Sequence, residues 1–370
     1  MALPVDALNA MTARWIAALP DRATTCSAAG AWPLLAILAD AADGAARDEL
    51  ASAVGVDPTS GTQAGLTVLS WLDDTDGLSG ALGVWHRDEL PIRAEWESRM
   101  PSGVTEKFSG DPVEDQRTLD TWARERTDGL IQRMPVTIDS EILLLLASAL
   151  TLQTTWTQKF TPRGLTSLTR TTRDPVIVRT AEDVTCVRVD GDNGLDVHLI
   201  LGVDGAPTGT VLSRGLEAIA GAVPPVSDPA AATGPGVSVT TVPSTSPGPE
   251  VMLTVPPFTV RADHDLLELP EVFGLATITD RRRGHLPGIS EQPLYVGAAR
   301  QTAVAEFSAT GFKAAAVTAV GMRATAMVRP MNEAIRINVT LDRPFGFLAV
   351  HRDSGLVLFA GWVTVAEFGS

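Results

Sequence analysis

The sequence predicts a mixed α+β fold in which helices and large β-sheets share one core. Apolar residues recur at helical spacing in the first half of the chain, whereas short β-type segments dominate the part after residue 160. The chain has 370 residues, of which 45% are hydrophobic, and this is sufficient for one extensive core. We therefore expect a single domain over residues 1–370.

Four helices are predicted from apolar residues that lie three or four positions apart. The first runs from Asp6 to Leu19 and is stopped by Pro20. The second and third run from about Pro33 to Ala41 and from Ala45 to Val54. Asp115 to Met134 has the pattern of a long amphipathic helix.

Strands are predicted at Ser79 to Arg87 and at Ile142 to Leu152, and the second of these apolar runs is too short to span a membrane. Ala222 to Glu250 is rich in Pro, Gly, Ser and Thr, which indicates a loop-rich insertion with one short strand. Later strands are expected at residues 175–179, 184–189, 196–203, 237–242 and 251–260.

The net charge of -15 disfavours nucleic acid or an anionic membrane as a partner, because phosphate groups bind clustered Lys and Arg. The cluster Arg281 to Arg283 is interpreted as a solvated turn. Cys26 and Cys186 lie far apart, which indicates free core thiols. Because Met1 to Arg14 has no export signal, we expect a cytoplasmic protein.

The sequence contains no motif of the common enzyme classes. A phosphate-binding glycine loop, a dinucleotide fingerprint, paired histidines at helical spacing and a nucleophile-elbow pentapeptide are all missing from it. The 5 histidines are scattered. We therefore expect no cofactor and no metal, and we assign no catalytic residue.

Two motifs near the C-terminus point to a family. They are VTLDRPFGFL, from Val339 to Leu348, and GLVLFAG, from Gly355 to Gly361. Together they resemble the serpin signature, in which Pro-Phe opens one buried strand and Phe-x-Gly closes the next. Further similar blocks follow the family's order at residues 33–55, 148–160, 255–258, 294–296 and 302–307. The resemblance implies a serpin fold of three β-sheets, about eight to nine helices and an exposed reactive loop, in a bacterial-type, monomeric member of the family.

The same resemblance places the reactive-loop region at residues 309–338, with Gly311 at the hinge. A serpin inhibitor inserts this loop into a sheet as a new strand, so the hinge must tolerate burial and extended geometry. A Thr or Ser usually follows the hinge glycine, whereas this chain has Phe312. Alternation puts Phe312, Ala314, Ala316 and Thr318 on a face that would point into the core, and Lys313, Ala315 and Val317 on the other face.

The family's central gate usually contains a hydrogen-bonded Ser, Asn and His set. In this sequence the matching residues are Gly30, Ser148 and Gln301, so we expect an altered network. Trp156 matches the Trp of the breach above the gate.

Spacing from the hinge places the bait bond near Thr325-Ala326, and Arg323, Met327 and Arg329 are further candidates. Arg323 or Arg329 would favour a trypsin-like protease, whose pocket ends in a carboxylate. Thr325 or Met327 would suit subtilisin-like or elastase-like pockets.

Two functions are compatible with these features. The first is a suicide inhibitor of serine proteases, which is a substrate and not a catalyst. The second is a non-inhibitory serpin scaffold used as a small-molecule binder or as an enzyme in a biosynthetic pathway. A pocket beside Trp156, Gly30 and Gln301 would support the second function.

Overall fold

The computed structural model describes residues 2–164, 166–246, 248–312 and 332–369. Within these ranges there are eight α-helices, in agreement with the eight or nine that the family resemblance implies. They are α1 (Val5–Ala17), α2 (Ala28–Ala41), α3 (Gly44–Val54), α4 (Gly61–Asp74), α5 (Ala94–Glu97), α6 (Pro112–Arg126), α7 (Thr208–Ile219) and α8 (Pro270–Phe273).

The strands of the described ranges are β1 (Thr24–Cys26), β2 (Leu78–His86), β3 (Thr105–Lys107), β4 (Leu144–Leu152), β5 (Thr154–Thr155), β6 (Thr161–Pro162), β7 (Leu168–Thr172), β8 (Val178–Thr180), β9 (Val184–Val189), β10 (Leu195–Gly202), β11 (Val237–Ser244), β12 (Glu250–Val255), β13 (Phe258–Asp265), β14 (Arg300–Phe307), β15 (Gly311–Phe312), β16 (Asn332–Thr340), β17 (Phe345–His351) and β18 (Leu356–Val363).

These strands form four hydrogen-bonded sets, where the resemblance implies three sheets. Their orders are β1-β18-β17-β10-β9-β8, β11-β16-β12-β7-β6, β13-β14-β15-β5 and β3-β2-β4. Since β4 and β5 follow each other along the chain, the last two sets are halves of one central sheet. This sheet is divided between β4 and β14, which accounts for the fourth set.

The main core lies between the six-stranded sheet and the central sheet. Every residue of β18 is buried, and so are Phe345 and Phe347 of β17. The ring of Phe258, in β13, has its centroid 5.5 Å from each of these two rings. Buried aromatic pairs of this kind contribute beyond the area that they remove from water.

Helix α2 positions the site, and it begins earlier than the sequence indicates. The side chain of Ser27 caps it by accepting a hydrogen bond from the backbone N–H of Gly30 at 3.0 Å. Pro33, which was expected near the start, lies inside the helix. The predicted start is therefore wrong.

Helix α6 is shorter than the predicted segment Asp115 to Met134. It begins at Pro112, where Asp111 accepts a hydrogen bond from the N–H of Val113, and it ends at Arg126. Asp128 and Gly129 follow with φ of 49° and 81°, and this left-handed backbone ends the helix.

Helices α4 and α7 were not predicted. In α4, an added Cβ on Gly61 would lie 2.1 Å from the carbonyl oxygen of Ala36, and one on Gly65 would lie 2.7 Å from that of Pro33. The glycines therefore allow α4 to approach α2 closely, although glycine in a sequence ordinarily argues against a helix.

Two predicted strands also differ from the structure. The segment 251–260 is broken at Pro256 and Pro257 into β12 and β13, since proline cannot donate to a strand ladder. Residues 175–177 form a 3₁₀ turn, and β8 begins at Val178. The strand expected at 237–242 is present and extends to Ser244.

Cys26 and Cys186 are buried free thiols, as predicted. Arg281 to Arg283 form an exposed turn, which confirms the sequence interpretation. Among the helices of the described ranges, none combines the length and the apolar character that a membrane crossing requires.

A buried histidine gives the fold a pH dependence. His198 in β10 has its Nδ1 3.8 Å from the Sγ of Cys186 in β9. Burial raises the pKa of this thiol to about 12 and lowers the pKa of His198 to about 4. Because the folded pKa of His198 is below its unfolded value, the unfolded state binds the proton more readily. The contribution of His198 to stability is complete above about pH 6.5 and is lost as the pH falls towards 4.

Between about pH 8 and about pH 5, His198 takes up a proton mainly in the unfolded state. We expect this to lower the free energy of unfolding by about 2 kcal/mol. Denaturant unfolding at both pH values measures the difference. A His198→Gln variant should lose this part of the pH dependence. The same slope in both proteins would show that other groups cause it.

Candidate functional site

A groove separates the two halves of the central sheet. Among the described strands, β4 and β14 flank it and are not hydrogen-bonded to each other. We call the cavity between them the central groove, and its volume is about 690 Å³. Ser148 of β4 points towards α2, whereas Leu145 and Ala147 pack with Leu119 of α6. The two helices therefore cover opposite faces of the groove.

The lining of the central groove is mainly apolar. Its polar margin includes Arg281, whose guanidinium carbon lies 5.4 Å from the ring centroid of Tyr295. In the described part of the chain, no buried side-chain nitrogen or oxygen without a partner lies in this lining. Apolar lining residues include Leu34, Leu35, Leu38, Trp122, Leu144, Leu146, Leu150 and Leu286. Beyond β15, none of the described strands pairs with β4 or β14 on the sides that face the groove, and an extended strand would pair with both.

The short strand β15 occupies the upper end of the groove. Gly311 and Phe312 pair with Thr155 and Thr154 of β5, and Phe312 also pairs with Phe307 of β14. Both pairings are antiparallel. A Cβ on Gly311 would lie 2.2 Å from the carbonyl oxygen of Thr154, so a larger residue would displace β5.

Phe312, which follows the hinge glycine where a Thr or Ser is usual, is buried. Its side chain is 2% exposed, and its ring centroid lies 5.7 Å from that of Phe347 in β17. The large side chain therefore fills space against the main core and holds β15 in place.

Trp156 fixes the turn that precedes β15. Its indole N–H donates to the carbonyl oxygen of Ser308 at 2.9 Å, and its backbone N–H donates to that of Thr310 at 3.0 Å. The backbone N–H of Phe160 donates to Ala309 at 2.9 Å. Nearly every residue from Ser308 to Phe312 is thus held by hydrogen bonds or strand pairing.

Gln301 attaches β14 to the start of α2. Its side-chain N–H donates to the carbonyl oxygen of Ser27 at 2.8 Å, and its side-chain oxygen accepts from the N–H of Ser27 at 2.9 Å. The hydroxyl of Ser27 donates to the carbonyl oxygen of Leu358 in β18 at 2.6 Å. One amide side chain therefore satisfies both backbone groups of the capping residue.

Ser148 attaches the other side of the groove to the same helix. Its hydroxyl donates to the carbonyl oxygen of Gly30 at 2.5 Å. A Cβ on Gly30 would meet the Nε2 of Gln301 at 3.5 Å, which is an ordinary contact, so space does not require glycine here. The gate residues are brought together, but each polar side chain bonds to the backbone of α2.

His264 lies on β13 directly opposite Gln301. Its Nε2–H donates to the carbonyl oxygen of Thr25 at 2.9 Å, and its ring contacts that of Trp15 edge-on at 5.2 Å. Burial lowers the pKa of His264, so the imidazole is neutral near pH 7 and joins the central sheet to β1.

Several predicted site residues lie outside the described residues. These are the hinge residues Lys313, Ala314, Ala315, Ala316, Val317 and Thr318 and the bait-bond candidates Arg323, Thr325, Ala326, Met327 and Arg329.

Two contributors to the site were missed at the sequence level. Ser27 could have been found, because a serine three residues before a helical glycine has the pattern of a cap. Phe347 carries no signal of this contact, since only the fold brings it to Phe312. Trp156 does not line the central groove, whereas Gly30 and Gln301 do.

Comparison with known proteins agrees with this architecture. The model of the family "Serpin (serine protease inhibitor)" matches residues 6–170 and 239–365. The chain belongs to the serpin family.

Sequence similarity to a curated relative is limited. A serpin-Z6C of Oryza sativa subsp. japonica is 37% identical over 73 residues, which cover 20% of this chain and 18% of the rice protein. The chain thus matches less than two thirds of that relative's length.

Solved structures match almost the whole chain. The thermophilic serpin tengpin in its native state has a TM-score of 0.74 at 15% identity, covering 97% of this chain and 93% of tengpin. A cleaved serpin 42Da has a TM-score of 0.73 at 18% identity and 96% coverage of both chains. Thyroxine-binding globulin in complex with thyroxine has a TM-score of 0.69 at 16% identity and 97% coverage of both. At these identities the likeness concerns the fold.

We expect Gln301→Ala to lower the free energy of unfolding by about 1–3 kcal/mol, because it leaves the buried N–H of Ser27 unpaired, whereas the C=O of Ser27 keeps its hydrogen bond from the N–H of Ala31. Urea unfolding monitored by tryptophan fluorescence measures the loss. Arg300→Ala is the matched control on the same strand, since its exposed ion pair with Asp265 contributes at most about 1 kcal/mol. Equal losses in both variants would contradict the role of Gln301.

Proposed function

We propose that this protein is a suicide inhibitor of serine proteases. The protease cleaves the reactive-loop region, residues 309–338, and forms an acyl-enzyme. The part of the loop that follows β15 then enters the central groove as a new strand and carries the protease with it. The observation that carries this proposal is the position of β15, which already lies at one end of a gap that no other described strand fills.

The register of β15 supports the direction of insertion. Phe312 is opposite Phe307 on one side and Thr154 on the other. In antiparallel pairing each further residue moves one position back along both neighbours. A continued strand would therefore bring Thr318 opposite both Gln301 and Ser148, where its hydroxyl would reach the gate.

The faces of the inserted strand also fit the groove. Residues paired with each other share a face of the sheet, and Ala303 and Ala305 of β14 are buried on the face of Phe307. Ala314 and Ala316 would join that face, where small side chains avoid overpacking. Two rows of backbone groups would gain partners at about 0.5–1.5 kcal/mol for each hydrogen bond, which favours insertion once the loop is cut.

The gate supports insertion as well. Ser148 and Gln301 bond to α2 and not to each other, so a strand can enter between them without breaking a bond that joins β4 to β14. The altered network therefore holds the two sides in place without closing the gap.

The partner of this activity is a serine protease. Cleavage at Arg323 or Arg329 would require a trypsin-like enzyme, whereas cleavage at Thr325-Ala326 or Met327 would suit a subtilisin-like or elastase-like enzyme. We propose that the inhibitor acts as a monomer, since insertion uses groups of one chain.

A second function, small-molecule binding, is favoured by the cavity volume of about 690 Å³, which lies within the usual range for ligand pockets. An apolar ligand with an acidic group would suit the leucines and the marginal Arg281. The similar thyroxine-binding globulin structure contains thyroxine, so the fold can carry a ligand. An enzymatic role lacks comparable support, because burial raises the pKa of both thiols and leaves them poor nucleophiles.

We expect incubation with trypsin, subtilisin or elastase to give a covalent complex that survives denaturing electrophoresis. Mass spectrometry of the released fragment identifies the bait bond. The loop-cleaved protein should melt at a temperature at least about 10 °C higher than the intact protein, because the groove becomes filled. Clean cleavage with no complex and no rise in melting temperature would refute inhibition and favour ligand binding.

We expect Ala314→Arg to abolish the covalent complex, because a guanidinium on the core face cannot be buried unpaired. Ala315→Arg is the matched control, since it lies on the face that already carries Lys313. Stoichiometry of inhibition and unfolding free energy are measured for both. Retained inhibition by Ala314→Arg with an intact fold would exclude insertion in this register.

A further inference from the structure

The turn that joins β9 to β10, residues 190–194, is bonded to the junction of β4 and β5. Trp156 and Gly191 form an antiparallel bridge. The backbone N–H of Asp192 donates to the carbonyl oxygen of Thr155 at 2.9 Å, and the hydroxyl of Thr155 donates to the carboxylate of Asp192. The six-stranded sheet is thus connected to the central sheet through β5, the strand that pairs with β15.

The side chain of Asn193 lies at the centre of this connection. Its Nδ2 donates to the carbonyl oxygens of Gln153 at 3.0 Å and of Asp76 at 3.2 Å, and its Oδ1 accepts a hydrogen bond from the hydroxyl of Thr154 at 2.6 Å. Backbone carbonyl oxygens can only accept, so the group that faces them must be an N–H donor. An amide meets this requirement, whereas an ionised carboxylate does not.

The surroundings of this amide leave little room for another arrangement. A Cβ on Gly77 would lie 2.0 Å from the Nδ2 of Asn193, and a Cβ on Gly191 would lie 2.1 Å from the Oγ1 of Thr154. The two glycines therefore let three backbone segments close around one side chain. The bonding of the turn to the β4–β5 junction consequently depends on the chemical identity of residue 193.

The residue that follows Asn193 makes the amide chemically labile. Asn193 is the one asparagine of the sequence that precedes a glycine, since the others are Asn9, Asn332 and Asn338. Gly194 has a φ of 78°, and a Cβ built on it would lie more than 4 Å from every heavy atom of the described residues other than its two chain neighbours. No side chain therefore obstructs an attack by the backbone nitrogen of Gly194 on the side-chain carbonyl carbon of Asn193.

We propose that Asn193-Gly194 is a site of spontaneous deamidation, and that this modification releases the 190–194 turn from the junction of β4 and β5. The nitrogen of Gly194 forms a bond to the side-chain carbon, the bond from that carbon to Nδ2 breaks, and ammonia leaves with the proton of the attacking N–H. Water then opens the resulting imide at either carbonyl group, which gives aspartate or isoaspartate. The reaction consumes water alone, and it does not depend on the proposed inhibition.

Opening of the turn precedes the reaction and is made permanent by it. The Oδ1 and Nδ2 of Asn193 are both held by groups outside the turn, so the side chain must leave these bonds before it reaches the nitrogen of Gly194. The new carboxylate would face the carbonyl oxygens of Gln153 and Asp76, beside the carboxylate of Asp192. The original contacts cannot form again, because none of these groups donates a hydrogen bond.

Peptide mapping of the folded protein, kept in a mildly alkaline buffer, tests the site. Asn193 should be converted to aspartate and isoaspartate at least about tenfold faster than Asn338, which precedes the β-branched Val339. Thr154→Val should increase the rate at position 193 at least about threefold, because it removes the hydrogen bond to Oδ1. Thr151→Val, the same substitution in β4, should leave this rate unchanged. Equal conversion at positions 193 and 338 would overturn the site, and equal rates in the two variants would overturn the need for turn opening.

A second measurement concerns the release of the turn. In Asn193→Asp, hydrogen exchange should be at least about tenfold faster at the N–H of Asp192 and at the N–H of Thr157, which donates to the carbonyl oxygen of Asp190 at 3.0 Å. Asn338→Asp is the matched control, since it introduces the same charge in the five-stranded sheet and should leave both rates unchanged. Equal exchange in the two variants would overturn the release. If Asn193→Asp does not fold, deamidated protein separated by ion exchange from the incubated sample provides the same comparison.

Discussion

The hydrogen bonds at the start of α2 are the constraint on which the site depends. The hydroxyl of Ser27 binds β18, its backbone N–H and C=O bind Gln301 of β14, and the carbonyl oxygen of Gly30 binds Ser148 of β4. Three elements that do not follow each other in the chain are therefore positioned by one helical turn. Because buried backbone groups are costly to leave unpaired, the turn keeps β4 and β14 at a fixed separation.

This fixed separation keeps two strands of the central sheet apart. Among the described strands, none lies between β4 and β14 beyond β15, whereas a sheet ordinarily closes such a gap. The aromatic contact between Phe312 and Phe347 fills only the upper end. The remaining length of the groove is suited to a strand.

The sequence indicated the fold because its signals were local and strong. The motifs around Phe345 and Phe359 lie on β17 and β18, where buried strands produce nearly continuous apolar runs. The sequence did not indicate those elements whose residue types are explained only by tertiary contacts. Pro33 obscured the start of α2, and Gly61 made α4 resemble a loop, although that glycine serves close helix packing. The gate positions were identified by resemblance, but their bonds to the backbone of α2 could not be inferred from residue types. β11 was expected to be short, because its composition is that of a turn-rich segment.

The pairing of β1 with β18 has a consequence for how the chain is made. Thr24 lies opposite Trp362, so β1, the first of the described strands, can form its pairs only after β18 has been made. A polypeptide emerging from the ribosome cannot complete the six-stranded sheet until β18 has been made, and contacts of such sequence separation form slowly. The partly made chain therefore exposes the edge of β1 until then. Its solubility in the cell depends on the rate of synthesis and on chaperones as well as on the final fold.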